Sequence, residues 1–363
     1  MSTSGVHTYP ASEEYVKVQG RTLFRDDVRY LGYSGSSISF TMRGSKAKVR
    51  LLSNPDKWGQ DCYAWLGVFV DKETEPRRFC LEQRDAWYTL YEDEKEGIHT
   101  ITLMKFSEAE YAVCGVSEIA VEGGLEQPPK PRARKIQSLG DSITCGYGME
   151  GILEELQFYT SQENPWHAYA LQAAAKLQAD THLVCWSGRG VYSNFLDEGM
   201  TEAQRDLLSP EQYQYTDVST SMQVFGETKE QWELWDAATY RPDLVTVYLG
   251  TNDASFCQEI PERNALYIQA YVELLEDIHK KQPQAKILCM LGTMDQRLCA
   301  SAKEAVSRFD SKIGGVAEYL QLPMQDEEDG LGTFWHPTYA TQKKLTKIVV
   351  EKIRNYMGWY DEN

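Results

Sequence analysis

The spacing of apolar residues changes partway along the chain, and that change limits the folds open to it. In the first part, short segments alternate apolar with polar residues: Ile38-Ser39-Phe40-Thr41-Met42-Arg43-Gly44, Lys48-Val49-Arg50-Leu51, residues 65–70 and residues 98–103. A period of two between turn signals marks half-buried strands, and several at this spacing predict a β-sandwich or jelly roll. The run Gly123-Gly124-Leu125-Glu126-Gln127-Pro128-Pro129-Lys130-Pro131 then reads as a linker, because Gly-Gly and Pro-Pro fit poorly inside regular elements. Beyond it, apolar runs with little alternation occur at 135–139, 182–186, 244–249 and 287–291. Such runs suit strands covered on both faces of a parallel sheet. Helical periods fall at 165–177, with Pro165 suited to a first turn, and at 262–281, 300–319 and 337–356. Strands alternating with helices predict a doubly wound α/β domain. Residues 194–240, long, acidic and aromatic-rich, read as an insertion with some helix.

A chain of 363 residues can bury a core without disulfide or metal staples. With 42% hydrophobic and 25% charged residues it is an ordinary globular protein, not a disordered or collagen-like one. The formal net charge of −17 would repel nucleic acid and anionic membranes, so a neutral substrate such as a sugar or an uncharged ester fits better. Several of the eight cysteines sit in apolar runs, Cys185 and Cys289 among them, and read as small buried hydrophobes. No C-x-x-C pair occurs, so no zinc site of that type is expected. The N-terminus lacks a basic start followed by an apolar stretch, and no run approaches the ~18 apolar residues of a membrane span. A reduced, cytoplasmic setting is the default expectation, although a chain trimmed of a leader would read the same.

In an open parallel sheet, ligands bind at the carboxyl ends of the strands. The first predicted strand of the α/β part is followed by Gly140-Asp141-Ser142, the second by Ser187-Gly188-Arg189-Gly190 and the third by Gly250-Thr251-Asn252-Asp253, while Trp335-His336-Pro337 precedes the last helix. Taken singly, each has a bland explanation: a helix cap, turn glycines, a loop asparagine, a surface histidine. Taken in chain order, they supply the parts of acyl-transfer chemistry. Ser142 is a candidate nucleophile, inert until a base takes its proton, and His336 can be that base. The N–H groups of Ser142 and Gly188 and the side-chain amide of Asn252 could hold the oxyanion of a tetrahedral intermediate.

These blocks resemble the four signature blocks of the SGNH (GDSL-like) hydrolases. The leading alternating-strand domain, the phrase Trp186-Ser187-Gly188-Arg189-Gly190-Val191-Tyr192 and the ending Trp335-His336-Pro337 resemble, more narrowly, carbohydrate esterase family 2. The resemblance implies a β-sandwich (jelly-roll) domain over residues 1–126, a linker over 127–134, and an SGNH-type three-layer α/β/α catalytic domain with a parallel sheet over 135–363. It implies removal of acetyl groups from xylan or related hemicellulose, with no cofactor and no metal. It makes Ser142 the nucleophile, His336 the base, and Gly188 and Asn252 partners of the Ser142 N–H in the oxyanion hole, with Gly190 an alternative for the glycine. The Gly-x-Ser-x-Gly elbow of α/β-hydrolases is absent.

One position departs from the family pattern. SGNH enzymes place an aspartate three residues before the histidine to orient its ring, and here that residue is Thr333. Some members of the resembled family also lack it and use a main-chain carbonyl. A Ser142–His336 dyad is therefore expected, its Nδ1–H donating to a nearby backbone oxygen, with Asp326 or Asp329 folding back as the alternative. Asp141 should fix the turn before the nucleophile. His167 reads as packing and Cys145 as an unactivated thiol. Trp335 and Tyr192 are the candidate sugar platforms, ahead of Trp232 and Trp235 in the insertion. The composite expectation is a serine esterase acting on acetylated oligosaccharides, with a homo-oligomer left open. A thioesterase or lysophospholipase on the same fold, or an inert carbohydrate-binding protein, would share most of these features.

Overall fold

The computed structural model describes residues 5–360, so the outer ends of the two expected domains, 1–4 and 361–363, lie outside the described residues. The first compact unit holds Val6–Tyr9 (β1), Lys17–Gln19 (β2), Thr22–Arg25 (β3), Val28–Leu31 (β4), Ser37–Leu52 (β5), Trp65–Val70 (β6), Arg77–Cys80 (β7), Asp85–Lys105 (β8) and Cys114–Leu125 (β9). They form a nine-stranded antiparallel sheet in the order β3-β4-β9-β5-β8-β6-β7, with β1 added to β9 and β2 to β5. The hydrogen bonding is continuous, so the expected sandwich is built from one sheet with long strands at its centre.

Bulges let those long strands serve one core. In β5 the buried apolar side chains are Ile38, Phe40 and Met42, then Ala47, Val49 and Leu51. The parity switches at Ser45, which the pairing with β8 and with β9 skips. One extra residue would otherwise turn every later side chain to the opposite face. Strand β9 does the same at Ser117, passing from Cys114 and Val116 to Ile119 and Val121, and all ten residues belong to a single buried cluster. The Gly123-Gly124 pair, expected in the linker, lies inside β9 opposite Gly44 and Arg43. Gly123 has φ +123°, and a Cβ there would sit 2.1 Å from the Arg43 carbonyl oxygen. The close crossing, not a domain break, requires glycine.

The second unit holds a five-stranded parallel sheet. Its strands are Arg134–Gly140 (β10), Ala179–Cys185 (β11), Leu244–Tyr248 (β12), Lys286–Leu291 (β13) and Ala317–Gln321 (β14), in the order β11-β10-β12-β13-β14. Strands β11 and β12 are buried at every position; the apolar run of β12 fits that directly, while β11 also buries Asp180, Thr181 and His182. The chain leaves β10 toward β11 on one side and then returns to β12 on the other. Right-handed crossovers therefore place Tyr169–Lys176 on the opposite face from Pro261–Lys281 and Cys299–Ile313. The last helix, Tyr339–Met357, packs against Tyr169–Lys176. Strand β14 corrects the expected helix over 300–319, which stops at Ile313. The expected helix over 165–177 begins only at Tyr169.

The main division between the compact units lies between Pro131 and Arg132, within the expected linker of 127–134, but two later segments cross it. Residues Tyr159–Glu163 and Thr216–Glu233 group with the first unit, although they fall within 135–363. The second segment is part of the expected insertion over 194–240 and carries the short α-helix Val218–Gln223. Among the described residues, no helix is long and apolar enough to cross a membrane.

Candidate active site

The order β11-β10-β12 puts a topological switch beside the carboxyl end of β10, where a crevice opens in folds of this kind. Strand β10 ends at Gly140, and Asp141 caps the short helix Ser142–Cys145, its Oδ1 accepting the Ile143 N–H at 3.0 Å. Ser142 occupies the first helical position, so its own N–H has no intrahelical partner. Burial pushes the Asp141 carboxyl up to about 7, the Ile143 N–H opposing and the Asp253 charge adding to the rise.

His336 reaches Ser142 from the far end of the unit. Its Nε2 lies 2.8 Å from Ser142 Oγ, and its Nδ1 lies 2.9 Å from the Thr333 carbonyl oxygen. A carbonyl only accepts, so Nδ1 carries the proton; Nε2 is then the acceptor, and the serine O–H donates to it. The turn that makes this possible is strained: Phe334 and Trp335, with φ of 52° and 60°, are consecutive non-glycine residues in the left-handed region. It folds His336 back so that its main-chain N–H also donates to the Thr333 oxygen, at 3.3 Å. Tyr147 packs beside the imidazole with ring centroids 4.6 Å apart, and Phe158 stacks on Tyr147 at 3.7 Å. Burial pushes the imidazole down to about 4, against the carbonyls of Thr333 and Phe334.

The alternatives for orienting the ring are engaged elsewhere. Asp326 accepts the Glu328 N–H, and Asp329 pairs with Lys344 at 2.6 Å. The two glycines also differ. The Gly190 N–H donates to Asn194 Oδ1 at 3.2 Å, and a Cβ on Gly190 would lie 1.9 Å from the Ser193 oxygen. Gly188 faces open space, and its N–H has no partner among the described residues. Asn252 is buried, one of its side-chain N–H groups held by the Arg189 carbonyl at 2.9 Å.

Asp253 has a role that the sequence did not reveal. Its buried carboxylate accepts the N–H groups of Val191 (3.0 Å), Tyr192 (2.7 Å) and Ser193 (3.0 Å). Burial raises its pKa while those bonds oppose the rise. It thereby ties the loop after β11 to the segment after β12. An acidic residue directly after Asn252 was the only available hint, since its partners lie some sixty residues away.

Trp335 is 59% exposed beside the base. Tyr192, the other expected platform, is engaged: the Arg205 guanidinium lies 4.6 Å over its ring and Phe256 packs at 5.6 Å. Trp232 donates to the Glu227 carbonyl, and Trp235 packs on His182. His167 packs edge-on against Tyr339, and Cys145 is buried. Among the described residues, no group of three or more His, Cys, Asp or Glu side chains is arranged to hold a metal.

Comparison with known proteins adds the family. Residues 138–344 match the GDSL-like lipase/acylhydrolase family, and residues 18–131 match the carbohydrate esterase 2 N-terminal domain. The cellulase/esterase CelE of Acetivibrio thermocellus is 29% identical over 90% of this chain, which spans only 38% of that protein's length. An acetylxylan esterase / glucomannan deacetylase of Cellvibrio japonicus is 28% identical over 98% of this chain and 93% of its own. The structure of a family two carbohydrate esterase from Clostridium thermocellum in complex with cellohexaose superimposes with a TM-score of 0.82, at 28% identity, over 95% of this chain and all of that one. The chain thus belongs to the GDSL-like lipase/acylhydrolase family and carries the carbohydrate esterase 2 N-terminal domain ahead of its hydrolase domain.

Proposed function

We propose that this protein is a serine esterase that removes O-acetyl groups from xylan-derived or related hemicellulose oligosaccharides. The observation that carries the proposal is the unbroken run of contacts from Ser142 Oγ through the imidazole to the Thr333 carbonyl, at 2.8 and 2.9 Å. The serine attacks the acetyl carbonyl carbon as its proton passes to Nε2. The oxyanion so formed takes hydrogen bonds from the N–H groups of Ser142 and Gly188 and from Asn252 Nδ2. Collapse transfers the proton from Nε2 to the departing sugar oxygen and leaves an acetyl-serine. Water, deprotonated by the same nitrogen, then releases acetate and restores the hydroxyl. Gly188 takes the oxyanion role in preference to Gly190, whose N–H is already spent on Asn194. Trp335, exposed next to the base, offers its face to the sugar.

The substrate class follows from the named activities of the relatives, an acetylxylan esterase / glucomannan deacetylase and a cellulase/esterase. The acidic chain favours a neutral glycan over an anionic lipid. The test is acetate release from acetylated xylo- and glucomanno-oligosaccharides by wild type and Ser142→Ala. Wild type should release acetate, the variant should fall by at least about a thousandfold, and nitrophenyl acetate should outpace nitrophenyl octanoate. Undiminished release by Ser142→Ala, or a preference for octanoate, would overturn the assignment.

A further inference from the structure

We propose that Glu155 is a positioning residue for His336, acting through Thr333; the role presupposes Ser142 and His336 as nucleophile and base. Thr333 stands where related hydrolases place the aspartate, and its carbonyl takes the Nδ1–H bond instead. That carbonyl is aimed by what holds the Thr333 residue in place. Its N–H donates to the Gly148 carbonyl at 3.0 Å, and its buried hydroxyl donates to Glu155 Oε2 at 3.1 Å. The same carboxylate oxygen accepts the Ile152 N–H at 3.1 Å, so the acceptor is itself anchored.

The anchoring has work to do, because the two residues after Thr333 are both left-handed. A turn in that conformation relaxes unless its ends are fixed. At the far end, the Gly332 N–H bonds the His336 carbonyl at 2.8 Å and Gln325 Nε2 bonds the Trp335 carbonyl at 2.7 Å. At the near end, the Gly148 carbonyl holds the Thr333 N–H and Glu155 holds its hydroxyl. Removing the Glu155 bond frees the peptide carbonyl to rotate off Nδ1, and the imidazole with it. The chain therefore retains a carboxylate behind its catalytic histidine, displaced to another loop and acting one hydroxyl further away.

The experiment is kinetics on the full chain with an acetylated oligosaccharide, comparing Glu155→Ala, Glu155→Gln, Thr333→Val, Thr333→Ser and the Glu155→Ala/Thr333→Val double variant, with melting temperatures and Ser142→Ala alongside. Glu155→Ala and Thr333→Val should each lower kcat roughly tenfold or more with KM within about twofold of wild type. The conservative Gln and Ser variants keep an acceptor and a donor, so they should stay near wild type. The double variant should be no worse than the poorer single one, since both remove the same bond. Full kcat in Glu155→Ala or Thr333→Val, or losses that multiply in the double variant, would overturn the positioning role while an inactive Ser142→Ala leaves the esterase standing. An active Ser142→Ala would bring down the esterase assignment itself. Where Thr333→Val does not fold, Glu155→Ala against Glu155→Gln decides alone, equal kcat in the two overturning the proposal.

Discussion

His336 is a weak base in its resting state because it is half-buried and its ring faces carbonyl oxygens, with no carboxylate in direct contact among the described residues. Dipoles stabilise imidazolium less than a full charge does. With the imidazole pushed down to about 4, the neutral, proton-accepting form persists well below the ordinary histidine range. The acid limb of kcat/KM should accordingly fall near pH 4, and a limb at about 6.5 or above would contradict it. Stability has the same sign. Between the folded value of about 4 and an unfolded value of about 6.5, the unfolded chain binds more protons, so this residue destabilises the fold progressively as pH falls through that window. Asp141 opposes it. Its folded value of about 7 lies above the unfolded one, so its contribution is present in acid and is lost as pH rises through about 7. Asp141→Asn keeps an acceptor for the Ile143 N–H and removes that titration, so the loss of stability on acidification due to His336 should be steeper in its denaturation curves than in those of wild type. Sequence could single out Ser142 and His336 as a candidate pair because a hydroxyl just after a strand and an imidazole just before the last helix are visible by residue type and position. It could note the missing aspartate at Thr333, but which carbonyl meets Nδ1 depends on two left-handed residues that no side-chain pattern announces.

At the level of elements, what sequence conveys depends on how many faces are buried. Strands β12 and β13 show nearly unbroken apolar runs because both faces are covered, while β10 and β11 bury polar residues such as Gln137, Asp180 and His182 among their apolar ones. Edge strand β14, Ala-Glu-Tyr-Leu-Gln, has only Ala317 fully buried, so its pattern merges with the helix before it. Glycine misled in the opposite direction. Gly-Gly signals a chain break and a close backbone crossing with equal force, and only the pairing of Arg43-Gly44 with Gly123-Gly124 separates the two. That pairing gives a sharp prediction. In Gly123→Ala the new Cβ would meet backbone, not a yielding side chain, in a conformation that L-residues avoid. Loss of about 2–3 kcal/mol or more is expected in urea unfolding. Gly124→Ala, whose Cβ would approach only the Tyr9 hydroxyl at 3.8 Å, should cost far less. Equal losses would mean that the crossing is not the constraint.

Across the whole molecule, the chain does not finish the first unit before starting the second. Tyr159–Glu163 and Thr216–Glu233 return to it and supply what residues up to 131 lack. Thr160 Oγ1 donates to the Tyr63 carbonyl at 2.8 Å, and the Arg78 guanidinium donates to the Ser161 and Glu163 carbonyls at 2.9 and 3.1 Å. The deepest contribution concerns charge. Lys105 is fully buried, its ammonium donating to the carbonyls of Gly32 at 2.7 Å and Glu108 at 3.0 Å. Burial lowers its pKa, and Asp217 is the foremost of the acidic groups that oppose the fall. Asp217 is buried too, held by the Thr220 N–H at 3.0 Å and hydroxyl at 2.6 Å. A buried ammonium stripped of its countercharge is costly, and so is a buried carboxylate stripped of its cation. Asp217→Asn and Lys105→Met should therefore each destabilise the protein by about 3 kcal/mol or more, with the double variant losing clearly less than the sum of the two. Strictly additive losses would show that the charges do not support each other, and that the returning segment is held by its other contacts, such as those of Ser219, Gln223 and Glu227. Coupled losses would explain why a β-domain read from sequence as ending at residue 126 needs an acid from position 217 to be stable.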